Sequence, residues 1–439
     1  MIRPPSMVSV ACVVLAACFS IVGCSDAKPA APEPAATSGI DLKPDTSGNG
    51  EVPGALASAS TLPTIDRRLK SVTSLAAHIQ YTSTSGITNN RTQVTGTVFV
   101  PKGKAPDGGW PVVVYAHPTT GITSDCAPSL SPNLLGASEP IAALTKAGYI
   151  IVVPDYQGLG LDKDRHPYLD STTVGYNVID AVRAVRRLVP DSSDRWLAVG
   201  VSQGGQAAWA ANELAGSYDA GGLKLLGTVS LSPATNISGF AEGAASGTLT
   251  KEQQAALPLI LSSLANEHPD FHLDDYRRGV VEQRWNSLTS CEGPAIADRA
   301  KVIDDISPDD LRPANPQAVD TLRAYLQKRG LPQRPATAPM LVIYGGMDTL
   351  TPGNWTDQAL EAACGMGDVI DIQFQPDKGH SDIDVTYSFG WINDRFAGVP
   401  AANSCESFTS ARQAIEQPVA PAGESNYSES DTGETGGGE

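Results

Sequence analysis

The 439-residue sequence predicts an α/β fold: a mostly parallel sheet covered by helices on both faces, with a helical cap inserted late in the chain. Three observations carry this. From Trp110 onward, short apolar runs alternate with helix-like stretches, and strands alternating with helices imply right-handed crossovers and a parallel sheet. At one strand-to-helix junction, Gly200-Val201-Ser202-Gln203-Gly204 spells GxSxG between the apolar run "RWLAVG" and the alanine-rich "GGQAAWAANELAG". Between about Asn236 and Pro339 the strand rhythm stops and helical patterns take over, and sheet-like runs resume only at "MLVIYGGMD".

Along the chain, Arg3 and the apolar run "MVSVACVVLAACFSIVGC" read as a targeting segment over residues 1–24. Its end, Ile21-Val22-Gly23-Cys24, resembles the lipobox of bacterial lipoproteins, in which the cysteine becomes the lipid-modified first residue. Leu15-Ala16-Ala17-Cys18 fits the same pattern, but polar sequence begins immediately after Cys24, which makes Cys24 the expected anchor. Residues 25–61 are rich in Pro, Ala, Ser and Gly and read as a flexible tether. The sheet-bearing core is expected over 62–235 and 340–410. It opens with "HIQYTSTSGITNNRTQVTGTVFVP", whose alternation around a turn predicts an antiparallel hairpin at a sheet edge. The strand "WPVVVYAH", the helix "EPIAALTKAG", the strand "YIIVVPD" and the amphipathic helix "VGYNVIDAVRAVRRLV" follow. After the GxSxG junction comes the strand "LKLLGTVSLSP".

The interval 236–339 is the expected cap. Its helical stretches lie around "KEQQAALPLILSSLANEH", "DDYRRGVVEQRWNSL" and "NPQAVDTLRAYLQKRG". A helix through "TDQALEAACG", the strand "VIDIQFQ" and a helix over "DVTYSFGWINDRFAG" complete the core. Residues 411–439 end in "GESNYSESDTGETGGGE", which has no Lys or Arg and little to bury, and read as an acidic disordered tail.

A net charge of −17 disfavours nucleic acid as a partner, because the chain has no basic stripe to displace counterions from phosphates. After removal of the leader, Cys24 is accompanied by Cys126, Cys291, Cys364 and Cys405, an even set in an exported chain, where two disulfides are the default. Spacing leaves all three connectivities open. No pair has CxxC spacing, so neither a zinc site nor any other metal or cofactor is expected.

The chemistry begins at Ser202. A serine hydroxyl is a poor nucleophile at neutral pH and needs a base to take its proton and an acid to orient that base. In sheets of this kind the order along the chain is Ser, then Asp or Glu, then His. Of the six histidines, His78, His117 and His166 precede Ser202, while His268 and His272 lie in the cap. His380, in "PDKGHSD", follows the last predicted strand and is the expected base. Asp348, in "LVIYGGMDTLTP", lies just beyond an apolar run and is the expected acid; Asp377 shares the loop of His380 and would not give a two-loop geometry. An oxyanion would be held by the backbone amide of Gln203 and by a second donor in "YAHPTTG", either Thr119 or Thr120, since Pro118 has no N–H. His117 is expected to brace that loop.

Together "YAHPTTG", "DCAPSL", "VPDYQGLG", "GVSQGG", "GGMDTLTP" and "KGH" resemble the secretory lipase family of α/β-hydrolases, over about residues 80 to 405. The resemblance implies hydrolysis of carboxylic esters, a small-molecule ester or lipid substrate with a lipid-like acyl group, and a helical cap. It also implies the pairs Cys126–Cys291 and Cys364–Cys405. Pro118 departs from the glycine that many hydrolases carry there. Competing readings are an exported serine peptidase, because "PDYQGLG" also resembles the corresponding stretch of prolyl-peptidase relatives, and a catalytically silent scaffold that binds a partner. The apolar stretch "AALPLILSSLA" in the cap, with Leu261 and Leu264, is expected to line the acyl site.

Overall fold

The computed structural model of the chain describes residues 41–42, 51–161, 165–218 and 222–416. The leader with Cys24, most of the tether and the tail from 417 on lie outside the described residues. Nine strands form one sheet: β1 (Leu56–Thr61), β2 (Thr73–Thr84), β3 (Arg91–Pro101), β4 (Trp110–Ala116), β5 (Ile150–Pro154), β6 (Ser192–Val201), β7 (Lys224–Leu231), β8 (Met340–Gly345) and β9 (Ile370–Gln375), in spatial order 1-2-3-5-4-6-7-8-9. β1, β2, β3 and β5 pair antiparallel, whereas every pairing from β5 through β4 to β9 is parallel.

Alternation along the central strands divides two hydrophobic layers. Val112, Val114 and Ala116 of β4, Ile150 and Val152 of β5, and Trp196 and Ala198 of β6 face the helices Ser171–Leu188 and Gln203–Tyr218. Their neighbours Val113, Tyr115, Ile151, Val153, Leu197 and Val199 pack on the other side, against the helices Ser138–Lys146 and Thr386–Ala397. Burial on both faces is why these strands are continuously apolar.

Between β7 and β8 the described chain contains helices and loops alone. The helices Gly239–Ser246, Lys251–Glu267, Gly279–Gln283, Trp285–Thr289, Arg299–Asp305 and Pro316–Arg329 fold around a separate apolar cluster. Thr250 starts the longest of them with a reciprocal capping box to Gln253. Leu261 and Leu264 are fully buried within this cluster, in contact with its other apolar side chains. Bulky substitutions there would therefore disturb packing before they could report on an acyl site. The stretch "DDYRRGVVEQRWNSL" is broken into a 3₁₀ turn and two short helices rather than one. No described helix is long and apolar enough to cross a membrane.

Two boundaries differ from expectation. The segment read as tether includes β1, which pairs with β2 and occupies the sheet edge in place of the hairpin. The helix Cys405–Glu416 extends into the segment read as tail. Both differences arise from pairing and cross-linking with distant residues, including the Cys364–Cys405 disulfide.

The chain leaving the helical interval is laced to the helix Gln203–Tyr218. Asn212 accepts from Ala338 N–H at 2.8 Å and donates to its carbonyl at 2.9 Å, and the Glu213 carboxylate accepts the backbone N–H of Gln333 and Arg334. Burial raises the Glu213 pKa from 4.5 to about 7, against the lowering effect of those amides. The folded state thus holds this proton more tightly than the unfolded chain, so the ionised carboxyl costs stability as pH rises from 4.5 through 7. Asp180, raised to about 6 mainly by burial, acts with the same sign. We expect the Tm of Glu213→Gln to rise relative to that of the wild type between pH 5 and pH 8, while Asp180 and the buried His166, whose lowered pKa acts with the opposite sign, contribute alike to both proteins. Identical pH profiles of Tm for the two proteins, measured by scanning calorimetry, would exclude Glu213 as a contributor.

Candidate active site

At the end of β6 the chain turns sharply into the helix Gln203–Tyr218, and Ser202 sits on that turn with φ 58°. A left-handed backbone at a residue with a Cβ costs on the order of 1–3 kcal/mol and persists only where its surroundings enforce it. Here they do. Ser202 N–H donates to Leu231 O at 2.9 Å, and Ser202 O accepts from Gln206 N–H at 3.0 Å and Ala234 N–H at 3.2 Å. The flanking glycines are required by space: a Cβ on Gly200 would lie 2.2 Å from Gly204 O, and one on Gly204 would lie 2.0 Å from Ala116 O.

The other two predicted side chains meet Ser202 from separate loops. His380 Nε2 is 2.9 Å from Ser202 Oγ, and His380 Nδ1 is 2.7 Å from Asp348 Oδ2. A carboxylate accepts, so Nδ1 carries the proton and Nε2 is left to accept from the serine hydroxyl. Asp348 follows β8 and is held by four donors: Oδ1 accepts from Leu350 N–H (2.9 Å) and Thr351 N–H (2.8 Å), and Oδ2 from Thr351 Oγ1 (2.8 Å) as well as from the imidazole. The two loops are tied together, because Met347 N–H donates to Lys378 O at 2.8 Å and a Cβ on Gly345 would strike that same carbonyl. Asp382 accepts from Gly379 N–H at 2.6 Å and so fixes the loop just ahead of the imidazole. Asp377 is exposed. The structure thus joins Ser202, His380 and Asp348 in one hydrogen-bonded relay.

Gln203 is the first residue of its helix, where backbone N–H groups have no intrahelical partner. The loop after β4 comes close to it through the Gly204–Ala116 approach. On that loop His117 is buried, stacked on Tyr156 at 4.3 Å, and within 2.7 Å of Pro118 O through Nδ1. Burial pushes its pKa below the ordinary histidine value. It braces the loop, as expected from sequence. Thr119 Oγ1 pairs with Tyr168 OH at 2.8 Å, whereas Thr120 Oγ1 is buried without a hydrogen-bond partner among the described residues. Beyond them the Cys126–Cys291 disulfide joins this loop to the helical interval, and Gly121, at φ 141°, has no space for a Cβ beside the two sulfurs. Cys364–Cys405 is the second bridge, so both pairs implied by the family resemblance are formed. No group of three or more His, Cys, Asp or Glu that could hold a metal occurs among the described residues.

Sequence order sets His166 aside as a base, and its ring nitrogens bond to Gln157 O and Gln203 rather than to a member of the relay. Its Nε2 is 2.9 Å from Gln203 Nε2. Neither this contact nor that of Tyr168 with Thr119 has a sequence signal, because each joins loops that are far apart along the chain.

The family model described as "Secretory lipase" matches residues 138–404, more than half of the 439-residue chain. Lipase 10 of Candida albicans is 25% identical over 321 residues, which span 64% of this chain and 64% of that protein's own length. A Mycobacterium tuberculosis protein named "Probable inactive lipase" is 27% identical over 354 residues, with 74% of each chain covered. Among solved structures, that of Candida antarctica lipase A in its closed state superposes with a TM-score of 0.65 at 16% identity, covering 85% of this chain and 87% of that one.

The tight approach at Gly204 supplies a direct check of the site's geometry. An added methyl must displace the backbone at Ala116 and His117, and overpacking of this kind costs about 1–3 kcal/mol. Gly204→Ala is expected to lower the urea midpoint accordingly; an unchanged midpoint in a folded variant would show that β4 and this helix are not so close in solution.

Proposed function

The chain belongs to the secretory lipase family of α/β-hydrolases, and from that premise we propose that it is an exported serine carboxylesterase or lipase acting on lipid-like esters through an acyl enzyme. The observation that carries the reading is the unbroken relay from Ser202 Oγ through His380 to Asp348, at 2.9 and 2.7 Å. In the proposed reaction Ser202 Oγ attacks the ester carbonyl while His380 Nε2 takes its proton, and Asp348 keeps the imidazole in the correct tautomer and stabilises it once charged. The developing oxyanion is held by Gln203 N–H and by a backbone N–H of Thr119 or Thr120. His380 then returns the proton to the departing alcohol. Water, deprotonated by the same imidazole, attacks the acyl carbonyl and frees Ser202.

A lipid-like acyl group is supported by the surroundings of the relay. The apolar cluster of the helical interval also takes in Ile122, Tyr168 and Ala234 from the site's loops, with Leu350 packed against it. Export is supported by the family and by the two disulfides, which persist in oxidising compartments. The anchor at Cys24 is part of the proposal and rests on the lipobox resemblance alone. A silent scaffold has a precedent in the name of the M. tuberculosis relative, but a scaffold has no need of an acid, base and hydroxyl in register.

The decisive assay is a panel of p-nitrophenyl esters of graded acyl length beside peptide anilides. Ester turnover is expected, with kcat/KM rising up to about fourfold for each methylene buried, as about 0.8 kcal/mol per methylene allows. Ser202→Ala should fold normally and lose at least about a thousandfold in kcat, and a serine-directed phosphonate should label Ser202 alone. Anilide turnover without ester turnover would favour the peptidase reading, and a wild type inert to both and to the phosphonate would favour the scaffold. For the anchor, Cys24→Ser should move the protein from the membrane fraction to the soluble exported fraction with hydrolysis unchanged; continued membrane association would count against lipidation.

A further inference from the structure

Both arms that would hold the oxyanion are tied, by their side chains, to a single short segment that sequence reasoning left without a role. Gln203 Nε2 lies 2.9 Å from His166 Nε2, and Thr119 Oγ1 lies 2.8 Å from Tyr168 OH. The direction of the first bond is fixed. His166 Nδ1 is 2.8 Å from Gln157 O, and a carbonyl can only accept, so Nδ1 bears the proton and Nε2 accepts from the Gln203 amide. The ring is completely buried, and burial lowers its pKa to about 3, which keeps it neutral and Nε2 free to accept at ordinary pH.

The segment is itself held from the helical interval. Ser263 Oγ donates to His166 O at 3.0 Å and accepts from Tyr168 N–H at 2.8 Å; Arg329 donates to Tyr168 O at 2.6 Å and is paired with Glu267 in a buried ion pair. A backbone donor works only if it points at the position of the oxyanion, and misplacement of a few tenths of an ångström weakens it. We infer that His166 and Tyr168 are positioning residues for this reaction, holding Gln203 and the Thr119–Thr120 loop so that their backbone N–H groups converge, and that through them the helical interval sets the oxyanion geometry. Neither residue touches the reacting atoms.

This inference rests on the hydrolase reading, and the experiment separates the two. Two substitutions remove one latch each: Tyr168→Phe deletes a single oxygen, and His166→Asn keeps a donor toward Gln157 O while losing the acceptor for Gln203. His166→Gln restores an acceptor at the position of Nε2. Because an oxyanion donor acts in the transition state, its misalignment should lower kcat and leave KM in place. Loss of a donor outright costs about 10²–10³, so loosening one should cost about tenfold. We expect Tyr168→Phe and His166→Asn each to lower kcat for a p-nitrophenyl ester about tenfold with KM within twofold, to slow phosphonate labelling of Ser202 in parallel, and His166→Gln to recover most of the loss. Active wild type with kcat within twofold in Tyr168→Phe and His166→Asn overturns the inference while leaving the hydrolase reading intact, and so does a rise in KM at constant kcat. If His166→Asn fails to fold, Tyr168→Phe decides alone. Wild type inert to esters and phosphonate overturns both.

Discussion

Where the helix Gln203–Tyr218 begins, its backbone rests on the end of β4, with Gly204 so near Ala116 O that no side chain fits between them. This approach has two consequences. It sets the helix's free N–H groups beside the end of β4 and the loop that follows it. It also forces the residue before the helix into the left-handed region, where Ser202 stands clear of the strand with its Oγ directed toward the loops beyond the sheet. A larger residue at position 204 would push the helix off β4 and disturb the turn together, so the serine's backbone conformation and the closeness of the helix to β4 are one feature.

Parallel pairing extends this geometry to the other two groups. β8 lies next to β7 and β9 next to β8 in register, so the loops bearing Asp348 and His380 leave the same sheet edge as the turn at Ser202. Ligands bind at that edge in open α/β sheets. Asp348 illustrates how a buried carboxylate is made acceptable: four donors surround it. Glu213 shows the contrary balance, where two backbone amides do not offset the cost of desolvation and the pKa rises to about 7.

The relay was legible in the sequence because each member carries a local signature: glycines around Ser202, an apolar run ending before Asp348, and His380 as the histidine placed beyond the last strand. The central strands were legible because burial on two faces makes them continuously apolar. β1 was not, since "LASAST" is short, mostly polar and partly exposed at an edge, and its conformation comes from hydrogen bonds to β2 rather than from its own composition. The breaks in "DDYRRGVVEQRWNSL" were missed for a related reason: the apolar periodicity is real, but the run is interrupted before Gly279, with its positive φ, and again at Arg284 between the two short helices. His166 and Tyr168 were beyond reach, because a residue order that names a base is silent about which side chains hold the donors.

The helical interval is more than an addition to a finished sheet. Its apolar cluster incorporates Ile122, Tyr168 and Ala234, residues that belong by sequence to the loops around Ser202, so neither the cluster nor those loops can be completed without the other. Its one deeply buried ion pair, Arg329 with Glu267, fits the same view. Bringing two charges out of water contributes little net stability, yet removing either partner would strand the other at a cost of about 3–5 kcal/mol. Such a pair is a poor adhesive and a good locator, because it tolerates few arrangements. Here Arg329 also donates to Tyr168 O, and Ser263, accepting from Tyr168 N–H and donating to His166 O, holds the chain on either side of Pro167. The costly element thus stands where position matters most, between the interval's helices and the loop that touches both Thr119 and Gln203.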